Sequence, residues 1–157
     1  MLDLYAIAPE FPGLEKSNKL QQNPSQRVVF LENYFKSDLG DYRFIPYLQL
    51  HEFEAYLFSE PKNFALIEAD NEKAIKELQI ITEQYETPEL INDKPETAPS
   101  KRIEALFPDY ARSKTVFGPI IAQKTGLSVI RAKCPHFNTW LTQLESLATF
   151  TQLKWLL

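Results

Sequence analysis

The chain has 157 residues, 44% of them hydrophobic and 13% aromatic, with a formal net charge of −4. That length supports one domain with a real core, the apolar content excludes intrinsic disorder, and the charge speaks against coating nucleic acid by general basicity, although a local basic patch remains open. The single cysteine, Cys134, excludes an intrachain disulfide and a cysteine zinc cluster, which fits a reducing, cytoplasmic setting.

The opening LDLYAIA alternates apolar and polar residues before Pro9 and predicts a short strand that runs into the loop APEFPGLEKSNKLQQNP. In SQRVVFLENYFKSDLG, Val28, Val29, Leu31, Tyr34, Phe35 and Leu39 fall at helical spacing, and Gly40 suits the helix end. The apolar stretch RFIPYLQL predicts a buried strand, with Pro46 marking a free or bulged edge. Strand, helix and strand in succession form a βαβ unit, which implies a parallel sheet. Glu52 to Phe58, residues 61–67 and residues 71–85 read as helical, the last with Ala74, Leu78, Ile81 and Tyr85 on one side. TPELINDKPETAPSKR, rich in proline and charge, predicts a long surface loop. Helices are expected over Ala98–Leu106, 115–125, Leu127–Lys133 and HFNTWLTQLESL, where Phe137, Trp140, Leu141, Leu144 and Leu147 share a face.

The expected fold class is therefore α/β: a small parallel sheet with flanking helices and a helical C-terminal half. No clean linker divides it, so a single domain is expected over residues 1–147, with 148–157 an apolar tail of unassigned role. No apolar run approaches the roughly 18 residues that span a bilayer, and no basic stretch leads into an apolar segment, so neither a membrane span nor a signal peptide is expected.

Chemistry is expected beyond the carboxyl ends of the strands, where open α/β sheets bind ligands. Asp3 and Tyr5 share one face of the first strand, and His51, Glu52 and Glu54 follow the second within LQLHEFEAYLF. Carboxylates without cysteines favour a hard ion, Mg²⁺ or Mn²⁺, over zinc. The pattern is not the zinc HExxH motif, since position 55 is alanine. The plainer reading is that Glu52 and Glu54 complement a helix dipole and His51 caps the helix. Lys101 and Arg102 form a second candidate, near a helix N-terminus that Thr97 is expected to cap, where the two cations and free N–H groups would bind phosphate. The alternative there is a solvated charged turn, with Asp93 and Glu96 as partners. Cys134 and His136 stand too close in sequence to read as a catalytic pair, and Cys134 reads as a small buried residue. GxGxxG, GxxxxGK[ST] and GxSxG motifs are absent.

The blocks DLYAIAPEFPG, RFIPYLQLHEFEAYLFSEP, PELINDKPETAPSKRI and GLSVIRAKCPHFNTWLTQLE, in that order, resemble the bacterial domain-of-unknown-function 4276 family, some of whose members are described as TOPRIM-like. The resemblance reaches about Leu147. It implies a TOPRIM-like parallel sheet in which an early glutamate and a later DxD pair hold magnesium for phosphodiester chemistry. Asp3 matches the first acid of that pair. Tyr5 replaces the second, for which Glu52 or Glu54 is the natural substitute. The strand with the early glutamate, which precedes this region in relatives, is missing here, so the chain is expected to be N-terminally truncated and inactive alone.

Two functions follow as expectations. One is a Mg²⁺-dependent nuclease or phosphotransfer domain, with Asp3, Glu52, Glu54 and His51 catalytic, Asp3, Glu52 and Glu54 on the metal, and Lys101 and Arg102 on the phosphate. It would act on nucleic acid beside a partner ATPase in defence or DNA processing, by analogy. The other is a non-catalytic interaction subunit or degenerate remnant, forming a homodimer through an exposed sheet edge.

Overall fold

Asn23 starts the first long helix, α1 (Pro24–Leu39): its side chain accepts the Gln26 N–H at 3.0 Å, and Pro24 needs no partner at the first helical position. Gly40 ends it at φ 68°, donating its N–H to the Lys36 carbonyl at 3.2 Å. The computed structural model describes residues 2–4, 7–20, 23–92 and 95–153. Met1–Leu50 with Pro135–Leu157 form one compact unit, and His51–Cys134 form a second.

In the first unit, Val28 and Leu31 bury one side of α1. Strand β1 (Leu2–Asp3) pairs in parallel with β2 (Leu48–Gln49), Leu2 opposite Leu48 and Asp3 opposite Gln49. The Leu4 N–H extends the pairing to the Gln49 carbonyl at 2.9 Å. The expected α/β, TOPRIM-like sheet is overturned here. Among the described residues, strand structure is confined to these two-residue segments and the chain is predominantly helical. In RFIPYLQL, Arg43 is exposed, residues 44–47 are half-buried and residues 48–50 are buried. Phe44 meets Phe35 edge-on at 5.0 Å, and Tyr47 stacks on His136 at 5.1 Å and on Trp140 at 4.7 Å. Pro46 has no N–H to offer a ladder, so ring packing holds Phe44 and Tyr47 and strand pairing begins only at Leu48. Tyr5 lies outside the described residues.

In the second unit, 3₁₀ helices span Phe53–Ser59 and Pro61–Leu66, and Asn71 caps α2 (Glu72–Glu83) by accepting the Ala74 N–H at 3.1 Å. Ala74, Leu78 and Ile81 bury one stripe of α2. α3 (Pro99–Leu106), α4 (Pro108–Thr125) and α5 (Leu127–Lys133) follow. α4 breaks at Ser113, where φ is −139°, and also contains Pro119. Leu57, Phe58, Phe64, Ile103, Phe107 and Ile121 are fully buried in the shared core. Each such side chain contributes about 1.5–3 kcal/mol of transfer free energy. The segment expected as a surface loop instead inserts Pro88, Glu89 and Ile91 into this unit.

α6 (Pro135–Leu153) belongs to the first unit and carries the helix expected near the C-terminus on to Leu153. Residues 154–157 of the expected apolar tail lie outside the described residues. Among the described residues, no helix is long and apolar enough to cross a membrane.

Candidate acid–base site in the 51–134 unit

Five consecutive buried residues, Ala55 to Ser59, lock the Phe53–Ser59 turn into its core, which fixes where the flanking acids leave the backbone. Glu52 sits at the N-cap in extended conformation, φ −79° and ψ 161°. Its carboxylate does not cap its own helix. It accepts the Ser100 N–H at 2.8 Å, satisfying an otherwise open donor in the first turn of α3. Ala98, the N-cap residue of α3, has no side-chain acceptor. Thr97, expected in that role, instead offers its carbonyl to Arg102 Nε at 2.7 Å.

Glu54 is half-buried, and desolvation pushes its carboxyl above the ordinary carboxylate range. Its own backbone N–H opposes that shift, the Glu52 charge adds to it, and Lys114 and the Tyr110 hydroxyl pull it back. Tyr110 is fully buried and donates to Glu54 Oε1 across a long 3.4 Å. Burial first, and Glu54 next, push the phenol above its ordinary value, so it holds its proton as a donor. Lys101 Nζ bonds Glu104 Oε2 at 2.8 Å, and Lys114 Nζ approaches Glu104 Oε1 at 4.0 Å. The 3₁₀ turn, α3 and α4 thus bring together three carboxylates, two ammonium groups and a phenol. Such a set can exchange a proton at Glu54 and neutralise an anion with the lysines.

The structure brings together Glu52, Glu54 and Lys101 of the expected residues. His51 is buried at 1% exposure, its Nδ1 3.5 Å from Asn92 Nδ2. Arg102 is spent within the fold: besides Thr97, it donates to the Tyr85 hydroxyl at 2.9 Å and stands 5.7 Å from the centre of that ring. The Asp3 side chain and Asp93 lie outside what the structure describes. Tyr110, Glu104 and Lys114 were not expected. Lys101 to Glu104 at i, i+3 is the helical spacing that carried a signal, whereas the break at Ser113 separates Tyr110 from Lys114.

Among the described residues, no group of three or more His, Cys, Asp or Glu side chains is arranged to hold a metal ion. Glu52 commits one oxygen to Ser100 and Glu54 one to Tyr110. These two alone fall short of a protein-only cage, although Mg²⁺ commonly binds through one or two carboxylates plus substrate phosphates.

The fold and the site together make this a largely helical protein with a carboxylate–tyrosine–lysine cluster on its 51–134 unit. The family described as "Domain of unknown function (DUF4276)" matches residues 1–145, and the chain belongs to that family. Comparison with curated proteins and with solved structures gives no match.

Proposed function

We propose that the 51–134 unit carries a nuclease-like site for a phosphate ester, built on Glu52, Glu54, Tyr110, Lys101 and Lys114. The observation that supports this most is Glu54: a half-buried carboxyl with raised proton affinity, next to a phenol donor and within reach of an ammonium group. Proton transfer by a positioned carboxyl needs that combination near the working pH. Lys101 and Lys114 are more than half exposed, so both can turn from Glu104 to an incoming phosphate. Tyr110 holds the Glu54 carboxyl in place, and Glu52 fixes the start of α3 beside it. Glu52 and Glu54 would hold Mg²⁺ or Mn²⁺ only together with substrate phosphate oxygens, where the ion would neutralise phosphate charge. Nucleic acid is the substrate class and an ATPase the expected partner.

Calorimetric titration of a short single-stranded DNA, with and without Mg²⁺, tests this reading. Saturable binding that requires Mg²⁺ and is lost in the double variant Lys101→Gln/Lys114→Gln is the expected result. Absence of binding under both conditions, or binding indifferent to the double variant, contradicts it.

A second reading, an interaction subunit, rests on Val116 and Ile120, which stand one turn apart on α4 at 55% and 43% exposure. The homodimer expected through a sheet edge has only a two-residue strand pair to build on among the described residues, so this α4 stripe is the better seat for a partner. Size exclusion of Val116→Lys/Ile120→Lys against the parent tests it. A shift from dimer to monomer is expected under this reading, and a monomeric parent contradicts self-association.

A further inference from the structure

The first unit contains a cavity of about 250 Å³ between α1 and α6, lined by Val29, Glu32, Asn33, Lys36, Pro46, His136, Thr139, Trp140 and Gln143. It lies just below the range of drug-sized sites and suits a small metabolite. Its charges are unequally committed. One oxygen of Glu32, Oε1, accepts the Leu48 N–H at 2.8 Å and stands 3.0 Å from His136 Nε2. His136 Nε2 is also 3.2 Å from the Leu48 carbonyl, so this nitrogen faces two acceptors and carries the proton. Glu32 keeps its negative charge, but its bonds tie Oε1 to Leu48 and His136, and it makes no ion pair with Lys36 among the described residues. Lys36, one turn further along α1, has no partner for its ammonium among the described residues. Thr139 gives its hydroxyl to the Pro135 carbonyl at 2.8 Å. The Asn33 and Gln143 amides complete the polar lining. Trp140 is held by its 4.7 Å stack on Tyr47 and contributes an aromatic ring to the lining.

We infer that this cavity binds a small ring-bearing organic anion, an aromatic carboxylate in its simplest form, with the ring against Trp140 and the carboxylate on Lys36. A single uncommitted cation selects a single negative charge, the two amides supply further hydrogen bonds, and the indole face favours a planar group. The site is separate from the Glu54 cluster and does not depend on the reading given to that cluster.

The test is an NMR titration of the full chain with benzoate, benzamide and benzylamine, following the Trp140 indole N–H. Benzoate is expected to give a saturable shift and to bind about tenfold or more tighter than the other two. Lys36→Gln is expected to weaken benzoate by a similar factor, leaving the circular dichroism spectrum and the benzamide affinity unchanged. No saturable shift with benzoate overturns the inference. So does equal affinity for benzamide, tighter binding of benzylamine, or a Lys36→Gln chain that binds benzoate as the parent does.

Discussion

Glu52 and Ser100, 48 positions apart, are joined by a 2.8 Å hydrogen bond from the Ser100 N–H to the Glu52 carboxylate. Ser100 is buried at 4% exposure, so removing the carboxylate leaves an N–H that water cannot reach easily. Glu52→Ala is therefore expected to cost about 1–2 kcal/mol. Glu52→Gln keeps an acceptor in place and should recover most of that loss. Urea unfolding of the three chains measures both effects, and equal loss in the two variants would show that the bond does not hold α3.

Glu54 makes stability depend on pH in a direction fixed by its shift. The folded chain holds its proton more tightly than the unfolded chain does. The stability this lends is fully present below the ordinary value of 4.5 and is lost as pH rises through the raised value. Glu54→Gln stays uncharged throughout. It is expected to be more stable than the parent at neutral pH, with the difference closing as pH falls toward 4.5. Melting temperatures across that range decide the matter, and a variant less stable than the parent at neutral pH would contradict the shift.

Much of α1 and α2 could be read directly: apolar residues at helical spacing run through both, and Gly40 closes the first, while the caps Asn23 and Asn71 emerged only in the structure. RFIPYLQL could not, because a continuous apolar run records burial without saying what buries it. Rings from Phe35, His136 and Trp140 pack on its Phe44 and Tyr47, two of them from a helix nearly 90 residues later. The acids around position 52 were visible as a cluster. Their partners were not, since the cap of α3 is donated across the chain and Tyr110 reaches Glu54 from a helix 56 positions away. Propensity near Thr97 carries no trace of either contact.

Cys134 is fully buried, bonded to Ser59 Oγ at 3.6 Å, and burial pushes its thiol up to about 12. Only the thiolate reacts. The native chain is expected to resist a thiol-reactive disulfide reagent at pH 8 and to react fully, with one equivalent, once unfolded in guanidinium. Rapid labelling of the folded chain would contradict the burial of this residue.

Gly13 adopts φ +80°, and a Cβ there would stand 2.6 Å from Tyr34 Cγ. Tyr34 is not free to withdraw cheaply, because the colliding atoms include its Cβ at 3.0 Å, the root of the side chain rather than its far end. Gly13→Ala combines left-handed backbone strain of ~1–2 kcal/mol with this collision. The variant is expected to lose at least that much in chemical unfolding, and a neutral result would contradict the geometry of the 9–16 loop.

The proposed chemistry turns on one proton at Glu54 and on what an anion does to it. Carbon-detected NMR of the Glu54 side-chain carboxyl, titrated with pH in the presence and absence of Mg²⁺ and a short single-stranded DNA, addresses it directly. A midpoint above 4.5 in the free chain that moves when both are added is the expected result. A midpoint at or below the ordinary value, unmoved by either addition, would contradict it.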